Sequence, residues 1–97
     1  MRVISRRKLI DFWAKHADAK EALEVWFREA KAARWETPED IKRRYPKASI
    51  LPGNRVVFDI KGNTYRLVVV VIYQFGTVYL RFVGTHAEYD KIDATTI

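Results

Sequence analysis

Apolar positions in the first half of the chain recur with the period of a helix. Leu9, Phe12, Trp13 and His16 fall at i, i+3, i+4 and i+7, and Ser5 stands ahead of them as an N-cap candidate. Asp18 followed by Glu21 has the spacing of a capping box. The helix expected after it gathers Ala19, Ala22, Leu23, Trp26, Ala30 and Ala33 on one face. Lys20, Glu24, Arg28, Lys31 and Arg34 lie on the other. Thr37-Pro38-Glu39-Asp40 then supplies an N-cap, a proline at the first helical position and acids in the first turn. This third helix must end near Tyr45, because Pro46 disfavours helical geometry in the residue before it.

The period changes to two in the second half. Val56, Phe58 and Ile60 alternate with Arg55, Val57, Asp59 and Lys61, the pattern of a strand. Gly62-Asn63 predicts a two-residue hairpin loop. Tyr65 to Tyr73 is almost wholly β-branched or aromatic, which suits a central strand covered on both faces. A second hairpin at Gly76-Thr77 leads into Val78 to Val83, and Gly84 closes that strand. Thr85 can then cap a last turn containing Ala87, Glu88 and Tyr89. The expected fold is α+β: N-terminal helices packed on one face of an antiparallel sheet, with a short C-terminal helical turn. No repeat, linker or low-complexity tract divides the chain, so one domain over residues 1–97 is expected.

Charge adds a direction to this picture. The 97 residues carry a formal charge of +6, and 13 of the 18 Lys and Arg lie in residues 1–50. A polyanionic partner follows as an expectation, and the few cations of the second half stand out individually. There is no cysteine, which excludes disulfides, a thiol nucleophile and Cys-based metal sites. Two histidines, His16 and His86, are too few for a metal site without carboxylate help. No apolar run has the length of a membrane span, and the basic N-terminus lacks a signal-like apolar region. A cytoplasmic protein that makes no use of a membrane is expected.

Hairpin register brings candidate chemistry to one end of the sheet. With Gly62-Asn63 as the loop, Asp59 faces Arg66. With a second loop over Gln74–Thr77, Arg66 faces Thr85. Lys61, Arg66 and the Thr85–His86–Tyr89 segment then converge. Each group also has a plain structural use: Arg66 as the cross-strand partner of Asp59, His86 as a solvated side chain, Tyr89 as packing. Lys42-Arg43-Arg44 suits the C-terminal end of a helix dipole. Trp13, Trp26, Trp35 and His16 fit the helix core better than a base-stacking platform.

From Val56 to Asp93 the chain resembles HigB-type toxins of the RelE/ParE superfamily. The resemblance is carried by Val57-Phe58-Asp59-Ile60-Lys61-Gly62-Asn63, by Tyr65-Arg66-Leu67, and above all by Arg81-Phe82-Val83-Gly84-Thr85-His86-Ala87-Glu88-Tyr89-Asp90-Lys91-Ile92. Trp35 to Tyr45 is also similar to the family's middle segment. The resemblance implies the toxin of a type II pair, a ribosome-dependent mRNA endonuclease neutralised by a HigA-type helix-turn-helix antitoxin. Operator DNA would be met only through that antitoxin, and no cofactor is implied. By the same resemblance Arg66, His86, Tyr89 and Lys91 are the candidate catalytic residues. Lys61, Asn63 and Arg81 are the candidate RNA- or phosphate-binding ones.

The chemistry fits those residue types. In RNA cleavage without a metal, the 2′-OH attacks its own phosphate while one group removes a proton and another supplies one. An imidazole can serve either role near neutrality. Arginine and lysine offset the charge that grows on phosphorus, and a tyrosine ring can stack on a splayed base. Two other classes share the fold: a non-catalytic RNA- or protein-binding module, and a ParE-like gyrase poison.

Overall fold

The computed structural model describes residues 1–97. Strand β1 (Arg2–Ile4) is followed by α1 (Arg7–Lys15), a 3-10 turn at Ala17–Ala19, α2 (Lys20–Ala32) and α3 (Pro38–Arg44). Strands β2 (Ser49–Leu51), β3 (Arg55–Ile60), β4 (Tyr65–Ile72) and β5 (Thr77–Thr85) lead to α4 (His86–Tyr89). The strands form one sheet in the order β1-β5-β4-β3-β2. The three C-terminal strands make the expected meander, so the α+β architecture holds. The short strands β1 and β2 add an edge on each side. β1 runs parallel to β5, which makes the sheet mixed.

Helices cover one face of the sheet. Leu9 of α1 and Leu23, Trp26 and Ala30 of α2 pack on Phe58, Leu67, Val69, Val71, Val78 and Leu80, all of them buried. Trp26 meets Phe58 edge-on at 5.4 Å, and Trp35 stacks on the same ring at 6.0 Å. His16 stacks on Phe12 at 4.4 Å, so it belongs to the α1 packing face. On the other face, the segment after α4 lies over β3 and β4, where Ala94 closes on Val57 and Val68 with Leu51, Phe82, Tyr89, Ile92 and Ile97 around them. Val68 is thus covered although it points away from the helices.

Two helix starts differ from the expected ones. Ser5 has φ +73 and is not the N-cap; Arg6 holds that position without a side-chain cap. β1 ends at Ile4, so the chain must reverse within two residues, and that reversal takes Ser5 into the left-handed region. The Asp18–Glu21 pair does not cap α2, whose N-cap is Ala19. The Asp18 carboxylate accepts instead from the Tyr65 hydroxyl at 2.5 Å and from Lys61 Nζ at 2.9 Å. The start of α3 is as expected. Asp40 accepts from the N–H of Thr37 at 3.1 Å and of Glu36 at 2.9 Å, with Pro38 in the first turn. At its far end Lys42 donates to the carbonyls of Pro46 and Ala48, Arg43 pairs with Asp40, and Arg44 pairs with Glu29.

Register decides what meets what on the sheet. Asp59 faces Arg66, as the alternation predicted. The turn occupies Lys61 to Thr64, with positive φ at Lys61 and Gly62 in place of the expected Gly62-Asn63 pair. The second turn is a 3-10 turn over Tyr73–Phe75 closed by Gly76 at φ +58. Between Val68 and Val69 the ladder slips. Val69 faces Leu80 and Val68 faces Phe82, which leaves Arg81 as the extra residue of a bulge. Arg66 therefore faces Gly84, not Thr85.

Candidate functional site

At the end of the sheet where β3 turns into β4, Arg66 is held on several sides. Its Nε meets Asp59 Oδ1 at 3.3 Å across the strands. One terminal nitrogen donates to the main-chain oxygens of Asn63 at 3.1 Å and Tyr65 at 3.3 Å. The other donates to Asn63 Oδ1 at 2.5 Å. The guanidinium carbon lies 6.0 Å from the centre of the Tyr89 ring. Only 11% of the Arg66 side chain is exposed, so its charge is fixed in place by a hairpin loop, a cross-strand carboxylate and an aromatic face.

Tyr89 reaches Arg66 because of how β5 ends. Thr85 caps α4 by a capping box: its Oγ1 accepts from the N–H of Glu88 at 3.1 Å, and Glu88 Oε1 accepts from the N–H of Thr85 at 2.8 Å. The Thr85 N–H, more than any other contact, holds the Glu88 carboxyl below the usual carboxylate range. This single helical turn swings Tyr89 back into the cluster with Phe82 and Val68. Gly84, opposite Arg66, leaves room for the Phe82 ring to lie over it. A β-carbon there would stand 2.5 Å from Phe82 Cζ.

Of the other predicted residues, all but Asn63 sit apart from this pair. His86 opens α4, half-exposed, with Nδ1 3.1 Å from Asp90 Oδ2. Asn63 joins Arg66 directly. Lys61, expected to converge with Arg66, turns toward the helices and pairs with Asp18 at 2.9 Å. The positive φ at Lys61 redirects its side chain, and the Tyr65 hydroxyl anchors the Asp18 carboxylate that receives it. The Tyr65 hydroxyl and Lys61 together hold that carboxyl below its ordinary range, the hydroxyl first. Lys91 is exposed just beyond α4 and makes no ion pair. Arg81, on the bulge, lines a groove between α1 and β5 with Lys8, Lys15, His16 and Glu88.

The Asp90 partner of His86 and the Asp18 partner of Lys61 were not among the expected residues. The first has a sequence signal: positions 86 and 90 are one helical turn apart. The second has none, since 43 residues separate Asp18 from Lys61. The arrangement can present one fixed guanidinium, a neighbouring aromatic face and an accessible imidazole at a single sheet end. Those are groups that bind a phosphodiester and move a proton.

Comparison with known proteins gives these positions a setting. The sequence profile of the HigB toxin, described as the RelE-like toxic component of a toxin–antitoxin system, matches residues 19–92. The chain is 28% identical over 96 residues to the mRNA interferase toxin HigB of Escherichia coli strain K12, covering 97% of this chain and 92% of that one. It is equally similar to the mRNA interferase HigB of Shigella flexneri, with the same coverage. The mRNA interferase HigB of Escherichia coli O6:H1 strain CFT073 is 24% identical over 94 residues, 95% of this chain and 91% of that protein.

Proposed function

The chain belongs to the HigB toxin family, the RelE-like toxic component of a toxin–antitoxin system, and we propose that it is a ribosome-dependent mRNA endonuclease. Its relatives named mRNA interferases match it nearly end to end, which supports the nuclease class. The observation that carries the site reading is the Arg66–Tyr89 pair at 6.0 Å beside the α4 turn that presents His86.

In this reading the 2′-OH of a bound message attacks the adjacent phosphate, and the 5′-oxygen of the next nucleotide leaves. Arg66 stabilises the charge gathering on the phosphate oxygens. Asn63 occupies two donors of its guanidinium, so docking of a phosphate exchanges hydrogen bonds to Asn63 for hydrogen bonds to phosphate oxygens. His86 moves the proton, with Asp90 orienting its ring through Nδ1. Tyr89 offers its ring to a base. Lys91 and Arg81, both exposed, supply attraction to the backbone, and Lys61 sets the hairpin position through Asp18. The partner that silences the toxin is a HigA-type antitoxin, and the basic first half of the chain suits the ribosomal RNA surface.

Primer extension on messages in a translating extract tests this. Breaks are expected in translated messages and not in the same RNA without ribosomes. Equal cutting of naked RNA overturns ribosome dependence. Intact messages together with inhibited gyrase place the protein with gyrase poisons.

A further inference from the structure

We propose that the exposed ring of Tyr79, with Arg81 beside it, is a base-stacking subsite for single-stranded RNA on the open face of β4 and β5; this rests on the mRNA reading above. Arg55, Val70 and Tyr79 are successive cross-strand partners, so they form one row across β3, β4 and β5. With Ile72 and Arg81 they line a shallow depression of about 380 Å³. Tyr79 is 41% exposed, unusual for a ring in the middle of a sheet. Each of the four other depressions on the surface carries at least one carboxylate; this one carries two arginines and none.

The two arginines have different duties. Arg55 gives Nε and one terminal nitrogen to the main-chain oxygen of Ile97 and the other nitrogen to Gly53, so it is a fixed wall. Arg81 makes no ion pair and is exposed on its bulge, where it can follow a phosphate backbone. An apolar floor, an exposed aromatic ring and an unpaired guanidinium are what single-stranded nucleic acid needs, because every base has a face to stack and every linkage a charge.

Position ties this patch to the Arg66 site. Val70 lies four residues along β4 from Arg66 on the same face, roughly 13 Å at the rise of a strand. That span matches about four nucleotides of stacked strand at ~3.4 Å each, and fewer of an extended one. The segment after α4 covers β3 and β4 over Val57 and Val68, with Phe82 and Tyr89 at its border, and beyond that border Arg81 and Tyr79 of β5 are exposed. A message cut beside Arg66 therefore has its flanking bases over Tyr79.

The test uses the whole protein and a single-stranded ten-nucleotide RNA carrying 5-iodouridine at each position in turn. Irradiation should join the probe to the peptide containing Tyr79. Tyr79→Ala should weaken binding about 5- to 100-fold, Tyr79→Phe should leave it nearly unchanged, and Arg81→Ala should weaken it and flatten its salt dependence. No measurable binding by the parent protein, or Tyr79→Ala binding as the parent does, overturns the subsite. So does loss of antitoxin binding in Tyr79→Ala with RNA binding unchanged, which assigns the patch to a protein partner. Crosslinking at Tyr79 in a protein that never cuts translated messages keeps the subsite and removes the nuclease. Normal cutting with no crosslink at Tyr79 does the reverse.

Discussion

Arg66 grips Asn63 with both of its terminal nitrogens, one on the main-chain oxygen and one on the side-chain oxygen. Two donations of this kind are also how a guanidinium receives a phosphate, so the hairpin loop holds the arginine in the posture that the proposed phosphate contact requires. Replacing Arg66 by Ala is expected to lower mRNA cleavage on the order of 10²–10³-fold. Because Asp59 loses its partner, stability should fall as well, by about 1–2 kcal/mol. Arg66→Lys should recover only part of the rate, since a lysine presents no planar fork. Primer extension and urea unfolding of the same preparations separate the two effects. A folded Arg66→Ala variant that cuts at the parental rate makes Arg66 a purely structural residue.

Asp59→Asn takes away the one carboxylate paired with Arg66 and keeps a hydrogen-bonding group in its place. Cleavage should be unchanged or faster, because no negative charge then competes with the phosphate for the guanidinium. The stability loss should stay below about 1 kcal/mol, because the asparagine can keep a hydrogen bond to the guanidinium. A drop in activity as deep as that of Arg66→Ala means that Asp59 positions the arginine rather than competing for it.

Gly84→Ala should be costly for its size. Its new methyl would stand 2.5 Å from Phe82 Cζ and 3.1 Å from Glu88 Oε1. The Phe82 ring must leave its seat over the glycine and push into the cluster with Val68 and Tyr89. Overpacking of this kind costs about 1–3 kcal/mol. Thermal unfolding checks the loss, and the same variant should weaken activity because the Tyr89 ring shifts. An unchanged melting temperature shows that Phe82 moves aside freely.

Acid should unfold the protein through a few identifiable carboxylates. Glu88 is held below its usual range by the Thr85 N–H, Asp40 by the Glu36 and Thr37 N–H groups, and Asp18 by the Tyr65 hydroxyl and Lys61. Each has a lower pKa folded than unfolded. Its contribution is therefore complete above the unfolded value, about 4, and disappears as pH falls through the folded one. The melting temperature should be level from neutrality to about pH 5 and drop below about pH 4. Glu88→Gln, which keeps an acceptor without a charge, should soften that drop. An identical acid profile in this variant removes Glu88 from the account.

Much of the sheet was legible because its residues are locally consistent. The alternation from Val56 to Ile60 and the Gly62 turn were enough to pair Asp59 with Arg66, and Thr85 caps the last helix as expected. Three-residue strands were not legible. Arg2–Ile4 and Ser49–Leu51 are shorter than a readable alternation, and their places come from edges offered by β5 and β3. Asp18 and Glu21 show the limit of a local motif. The spacing was right, yet a tyrosine and a lysine from the distant hairpin provided stronger partners for Asp18. At the candidate site, the Arg66–Asn63 grip and the nearness of Tyr89 follow from register and a cap. The turn of Lys61 toward the helices follows from one left-handed residue that no pattern marks.

The bulge at Arg81 divides β5 into two halves of opposite phase. Before it, Val78 and Leu80 face the helices; after it, Val83 does so, and Phe82 faces the other way. One unpaired residue thus acts as a gear change. The half beside β1 stays geared to the helical core, while the half beside α4 is geared to Arg66 and Tyr89. Were Arg81 paired in regular register instead of bulged, Phe82 would turn into the helices and Val83 out toward the site. The inner and outer faces of the last strand would trade places, and the two halves could no longer serve a core and a site at once.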